Sequence, residues 1–361
     1  MGKRKVILEK NKIIYEDLKD IYQRNIDWQQ LRNKTILITG AYGMLASYLV
    51  YMCIFLNETY DYGIEIIAAV RSKEKLFHRF GAYTEKKYFS IYLNDINMPF
   101  EIDGKVDYII HGAGLASSQY YFEKPIEVIM PNIAATMNLL NLAVEKNSES
   151  FLQFSSGEVY GTLEKGITVI TEDTYGLVDT LDLRNCYCES KRMAEMLCCA
   201  WHAQKKVPVK IARICHTFGP TMDVEHDTRV FSSFVSDVLH NRNIVMKSDG
   251  KTKRPFTYIA DAIAAYFIIL LGGQNGNAYN VCNEKEFLSI REIAEIVVSL
   301  YPQAGLKVVR DTSTKIVKNA TENEIKFSSR KLQELGWECH YDTKTGFLRT
   351  IEGIKEQREG K

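Results

Sequence analysis

Neither sign of charge dominates this sequence of 361 residues: 46 Lys and Arg stand against 45 Asp and Glu, a net charge of +1. No global field therefore draws it to nucleic acid or to an acidic membrane surface, and any anion site has to be local. No stretch of 18 uncharged apolar residues occurs, so no segment is expected to span a membrane. The opening MGKRKVILEKNKIIYEDLKD is charged throughout, with neither a long apolar segment nor a small-residue cleavage site. That argues against a secretory signal and leaves a cytoplasmic location as the expectation. Paired C-x-x-C spacing is missing among the eight cysteines (Cys53, Cys186, Cys188, Cys198, Cys199, Cys215, Cys282, Cys339), several of which sit in apolar stretches. They read as reduced core thiols, and no metal site is expected. Internal repeats, low-complexity tracts and Pro/Gly-rich linkers are lacking too, so the chain is expected to fold as one unit.

What is present is an ordinary globular balance, 46% hydrophobic and 25% charged, with apolar side chains enough to offset chain entropy in a core. Residues 1–33 form a lysine-rich lead in which Ile14, Leu18, Ile21 and Tyr22 recur at helical spacing before Trp28 and Leu31. An amphipathic helix appended to the main domain is expected there. From Thr35 short apolar runs alternate with helical patterns: TILIT, a helix after Gly43, IEIIAAV, a helix after Ser72, YFSIYL, DYIIHG and a helix from Pro125 to Val144. FLQFSS, a helix from Tyr187 to about Gln204 and VKIARI continue the series. This alternation predicts an α/β, doubly wound parallel sheet of Rossmann-like type over residues 34–215. Residues 216–361 loosen into a smaller C-terminal substrate-binding part, with helices around Val230 to Leu239 and Ile259 to Leu271 and one opened by the Ser289/Glu292 capping box. The ligand is expected between the two parts, at the carboxyl edge of the sheet.

TILITGAYGMLASYLV is an apolar strand, a turn with Gly40 and Gly43, and a helix whose third small position is Ala46. Gly40 permits the tight turn, Gly43 lets backbone N–H groups approach a pyrophosphate at the positive helix end, and Ala46 allows close helix–strand packing. A bare G-x-x-G also fits a plain strand–helix turn, but this one follows the first strand of an alternating pattern and so reads as a dinucleotide cradle. Tyr42, Met44 and Ala113 are expected beside it. The second strand ends in Arg71 where an NAD site would carry a carboxylate for the ribose hydroxyls. Arg71, with Ser72 and Lys75, suits a 2′-phosphate, so the cofactor is NAD or NADP with a lean toward NADP. Asp95 with Ile96 fits an adenine contact, and equally an ordinary turn.

Tyr187 and Lys191 lie four apart in NCYCESKRMAEML, on one helix face. A lysine ammonium beside a phenol favours the phenolate and is expected to let the tyrosine act as a base well below its usual pKa of ~10. Ser156, at the end of FLQFSS, would hydrogen-bond the same substrate hydroxyl.

With these residues in place the chain resembles the extended short-chain dehydrogenases/reductases that modify nucleotide sugars, over roughly Lys34 to Trp337. Its landmarks HGAGLASSQYYFEKPIEVIMPNIAATMNLL, SSGEVYG, CYCESKRMAE, RICHTFGPTM, DTRVFSSF and GKTKRPFTYIADA look most like those of the UDP-glucuronate decarboxylase branch. The resemblance implies catalytic positions at Ser156, Glu158, Tyr187, Lys191 and Arg254. It also implies a nicotinamide-ribose contact from Lys191 and a substrate grip from His216, Arg229 and Arg254. Glutamate at 158 separates dehydratases and decarboxylases from simple 4-epimerases. Gly157 removes the aspartate that dehydratases use as acid, without removing any ionisable group from the decarboxylases. His216 stands in place of the family's asparagine, Thr221 of an arginine, Arg71 of an acidic residue and Ser190 of a glycine.

The implied activity is transient oxidation at the sugar 4-position by a tightly held, recycled cofactor, most like UDP-glucuronate decarboxylation. The alternatives are a 4,6-dehydratase, a 4-epimerase, a net NADPH-consuming reductase, or a non-catalytic nucleotide-sugar-binding protein of the same fold. The implied partners are a nucleotide sugar and a second copy of the chain, paired through the helices Asn132 to Val144 and Tyr187 to Trp201. No nucleic acid is expected.

Overall fold

The computed structural model describes residues 11–311 and 325–359. In chain order the first half contains α1 (Lys12–Gln23), β1 (Thr35–Thr39), α2 (Met44–Tyr60), β2 (Glu65–Val70), α3 (Lys73–Phe80), β3 (Phe89–Leu93), β4 (Tyr108–His111), α4 (Tyr120–Glu123), α5 (Pro125–Lys146) and β5 (Ser150–Ser156). Next come β6 (Val169–Ile170), α6 (Cys186–Lys205), β7 (Val209–Ile214), β8 (His216–Phe218), α7 (Val230–Leu239), β9 (Ile244–Met246), β10 (Lys253–Tyr258), α8 (Ile259–Gly272) and β11 (Asn277–Val281). The chain closes with β12 (Phe287–Ser289), α9 (Ile290–Ser299), β13 (Val308–Arg310), β14 (Lys326–Phe327), α10 (Arg330–Gln333) and α11 (Thr343–Glu359).

The short apolar runs, buried on both faces, become one seven-stranded parallel sheet in the order β11-β7-β5-β4-β1-β2-β3. Strands β1 to β3 are added on one side, whereas β4, β5, β7 and β11 extend to the other. The order reverses between β1 and β4, the switch point at whose carboxyl edge sheets of this kind take their ligands. A smaller sheet, β12-β10-β8, stands over that edge, with β8 and β10 parallel and Phe256 opposite His216.

Two details refine the expected organisation. Residue 215 is not a clean divide, because α8, buried almost all round, packs on β5 and β7, and β11 returns to the main sheet beside β7. Helix α1 is likewise part of the core. Ile14, Leu18 and Ile21 are buried against α8, α11 and α2, and Asp17 on the same face accepts hydrogen bonds from Tyr48 (2.7 Å), Tyr258 (2.6 Å) and Arg349 (2.7 Å). The lead residues 1–10 lie outside the described residues.

Among the described residues α5 is the helix long and apolar enough, by length and composition alone, to cross a membrane. Its face Val128, Asn132, Ala135, Leu139 and Leu142 is buried, and it lies along α6. Ile126, Met130 and Met137 on α5 and Met193 and Met196 on α6 remain exposed.

Candidate active site

The cradle is built where β1 gives way to α2. Gly40 has φ +66°, and a Cβ there would stand 2.9 Å from the Ala113 Cα, so only glycine lets the β1 turn approach the end of β4. Gly43 caps α2 without a side-chain hydrogen bond, leaving the first-turn N–H groups of a 17-residue helix unclaimed by any cap. Tyr42 and Met44 flank this end half-buried. Beneath it Thr39 Oγ1 accepts from the Gly112 and Ala113 N–H groups (3.2 and 3.3 Å) and meets His111 Nδ1 at 2.9 Å. His111 Nε2 must donate to the Pro131 carbonyl at 3.0 Å, so Nδ1 is the acceptor and Thr39 the donor. Burial, with Lys191 adding to it, holds this imidazole neutral, its pKa lowered to about 3.

The space a Cβ would fill and the uncapped helix end together fit a dinucleotide pyrophosphate. Arg71 follows β2 and is exposed, with no hydrogen bond or ion pair to its guanidinium among the described residues. The Ser72 hydroxyl caps α3 by accepting from Lys75 N–H at 3.2 Å, which leaves Arg71 and Lys75 as the cationic pair at this edge. Asp95 accepts from Asn97 N–H at 3.0 Å, the turn role that the sequence equally allowed, and Ile96 packs half-buried next to it.

Opposite the cradle β5 ends in Ser156, whose Oγ accepts from Glu158 N–H at 3.2 Å and lies close enough to the Tyr187 hydroxyl to favour its ionised form. Tyr187 and Lys191 share the inner face of α6, both buried. Lys191 Nζ donates to the Phe154 carbonyl at 2.7 Å and sits 5.7 Å from the Tyr187 ring centroid. This arrangement corrects the expected acidification of the phenol. Burial pushes the Tyr187 pKa up to about 12, with Ser156 and Arg229 pulling it down and Glu158 adding to the rise. Burial also lowers Lys191 to about 8, Glu195 acting in the opposite sense. In the protein alone desolvation of the wholly buried phenol outweighs the lysine's field.

Several neighbours carried no signal in the sequence. The Tyr121 ring stacks on Tyr187 at 5.2 Å and 10°, and the Arg184 guanidinium lies over the other aromatic partner, 5.2 Å from the Tyr121 centroid. Arg184 also faces Glu158 at 3.9 Å, with both side chains nearly half exposed. The buried Asn132 amide donates to Ser190 Oγ at 2.9 Å, and Ser190 donates to the Tyr187 carbonyl at 2.9 Å, tying α5 to the catalytic helix at the position where serine replaces glycine.

The opposite wall holds the cations. Arg229, just before α7, is clamped by Asp227 (2.9 and 2.5 Å), and its Nη2 comes within 3.8 Å of Met44 Sδ, so the smaller part touches the cradle here. The spacing D-x-R was the available signal for Asp227. His216 on β8 packs between Phe231 and Phe256, and burial together with Arg254 and Arg229 lowers its pKa to about 3. It is thus a neutral imidazole between two arginines. Arg254, on β10, is open to solvent yet recessed. Partial desolvation lowers its pKa, and Glu158 works against that.

Comparison with known proteins agrees with this geometry. Residues 36–282 match the model of the NAD dependent epimerase/dehydratase family. UDP-glucuronic acid decarboxylase 6 of Arabidopsis thaliana is 31% identical over 307 residues, covering 85% of this chain and 84% of that protein. Among solved structures, an epimerase from Methanothermobacter thermautotrophicus superposes with a TM-score of 0.76 at 19% identity, covering 96% of each chain. The UDP-glucuronic acid 4-epimerase of Bacillus cereus, in complex with UDP-glucuronic acid and NAD, gives 0.71 at 20% identity, covering 89% of this chain and 99% of that one. The extent of the family match, together with the cradle and the Ser156/Tyr187/Lys191 cluster, places the chain: it belongs to the NAD dependent epimerase/dehydratase family.

Proposed function

We propose that this protein is a nucleotide-sugar decarboxylase that works by transient oxidation at the sugar 4-position, with UDP-glucuronic acid as substrate. One observation carries the reading. Ser156, Glu158 and Tyr187, with Lys191 one helical turn on, lie in electrostatic range of the Arg229, Arg254 and His216 group, and Arg229 also reaches Met44 of the dinucleotide cradle. The relatives at about 30% identity are UDP-glucuronic acid decarboxylases, which supports the choice among reactions.

When bound, a nicotinamide dinucleotide supplies a reversible hydride acceptor. Gly40, Tyr42, Gly43, Met44 and Ala113 would hold its pyrophosphate, Asp95 and Ile96 would lie toward the adenine, and Lys191 would hold the nicotinamide ribose. Ser156 orients the 4-hydroxyl and Tyr187 takes its proton, a role that requires a bound, positively charged guest to lower the phenol from its value in the protein alone; general-base catalysis accelerates such a step by ~10²–10⁴-fold. Arg254 polarises the developing carbonyl or enolate and delivers a proton, while Glu158 orients the ring or a water. Arg229 and neutral His216 grip the diphosphate. Arg71 and Lys75 support NADP over NAD. The exposed methionines of α5 and α6 support a homodimer through these helices, and their buried opposite faces support a core position for both. All eight cysteines are free thiols, which supports a reducing, cytoplasmic compartment.

Incubation with UDP-glucuronic acid is expected to release carbon dioxide and yield a pentose nucleotide by mass, and Tyr187→Phe is expected to abolish both. Loss of water would instead indicate a dehydratase, an isomer of unchanged mass an epimerase, and unchanged turnover in Tyr187→Phe would remove Tyr187 from the chemistry.

A further inference from the structure

We infer that Arg184 recognises the carboxylate on the sugar ring and so sets the preference of this site for uronic acids; the inference rests on the nucleotide-sugar reading above and names the residue that would enforce it. Arg184 lies in the turn Leu183–Asn185, three residues ahead of Tyr187. Its guanidinium is held by stacking. It lies over Tyr121, which itself lies parallel to Tyr187, so a planar fork is oriented in advance next to the proposed base.

The donors of that fork are unspent. Among the described residues the Arg184 guanidinium makes no hydrogen bond, and its one ionic neighbour, Glu158, stands 3.9 Å away, beyond hydrogen-bonding distance. Arg192 and Arg213, on and beside the same helix, each spend their guanidinium donors on backbone carbonyls or a carboxylate. Glu158 lies between Arg184 and the field of Arg254, so the sugar end of the crevice carries two guanidinium charges against one carboxylate. The other charged pair facing it, Arg229 with Asp227, cancels, and His216 is neutral. With the buried Lys191 ammonium beneath the site added, net positive charge is left over where the sugar must lie. A neutral hexose leaves that charge unanswered, whereas a ring carboxylate answers it and takes the two parallel N–H groups Arg184 offers.

Binding separates this role from a structural one. In a Tyr187→Phe background, which prevents consumption of the ligand, titration calorimetry with UDP-glucuronic acid and with UDP-xylose, its counterpart without the carboxylate, gives an affinity ratio. Arg184→Gln is expected to weaken UDP-glucuronic acid by ~10–100-fold, the loss of a charge-assisted pair, and to leave UDP-xylose within about twofold. Arg184→Lys is expected to recover part of the loss. An equal fall for both ligands would make Arg184 a prop for the Tyr121 stack, and no change for either would remove it from the site; both outcomes overturn the inference. Absence of carbon dioxide release by the unmutated enzyme would instead overturn the reaction proposed above, while the affinity ratio would still decide Arg184.

Discussion

Asp17 and Lys191 both bury a formal charge, one at the seam between α1 and the core and the other beneath the crevice, yet their surroundings are opposite. Asp17 is fully answered: two tyrosyl hydroxyls and the Arg349 guanidinium occupy its oxygens. Burial still pushes its pKa up to about 6, with Arg349 the strongest opposing influence. Among the described residues Lys191 has one backbone carbonyl for three N–H donors, and no carboxylate within ion-pair distance. A charge buried with a complete set of partners holds a fold together. One buried with donors to spare is poised for a guest, and its stability cost is accepted at the site of function.

The contrast can be broken by mutation. Lys191→Met is expected to reduce carbon dioxide release by ~10³-fold or more, within the range of a lost acid–base group, while the denaturant midpoint stays level or rises, because an under-paired charge has been exchanged for an apolar chain. A large drop in stability would mean that Lys191 is structural. Asp17→Ala is expected to do the reverse: ~3–5 kcal/mol lost in equilibrium unfolding, since the buried Tyr48 and Tyr258 hydroxyls lose their acceptor and Arg349 keeps only Glu16 and the Ile13 carbonyl, with turnover per folded molecule unchanged.

Titration sharpens the same comparison. Lys191 in the folded protein sheds its proton near pH 8, whereas an unfolded lysine keeps it to about 10.5. Between these values the unfolded chain binds more protons, so this group makes stability rise with pH across that window and withdraws its contribution as pH falls through 8, by an amount on the order of 3 kcal/mol at most. Lys210 is lowered to about 8 as well, by burial alone, so the measurement is the difference between the unmutated protein and Lys191→Met across the window. A flat difference would show that Lys191 is charged throughout. The smallest effect is expected from Ser190→Ala, which takes one acceptor from the Asn132 amide; about 1 kcal/mol in a denaturation curve is the scale of such a loss, with an accompanying drop in turnover of only a few-fold.

How much of this was legible beforehand depended on how local the signal was. Strand β1, Gly40, Gly43 and the start of α2 are contiguous, and their place at the head of an alternating pattern gives the turn its meaning. Tyr187 and Lys191 are likewise one helical turn apart, and periodicity alone aligns them. Tyr121, Arg184, Asp227 and the Thr39/His111 pair are brought in by different strands and loops, and nothing in QYYFEK or DLRNC distinguishes a stacking tyrosine or an unspent guanidinium from ordinary surface residues. The tyrosine's acidity is hidden from the sequence for the same reason: proximity along a helix is visible there, but the depth of burial around the phenol is not.

The alternation of apolar runs, the glycine turn and the tyrosine–lysine spacing thus determined by themselves the parallel sheet, the cradle and the helix face that carries the chemistry, because each depends only on short-range geometry repeated along the chain. Burial, the balance of charge across the crevice and the partners each ionisable group meets were decided only by the tertiary structure, since desolvation and Coulomb energies depend on distances between atoms that the sequence separates by tens or hundreds of residues.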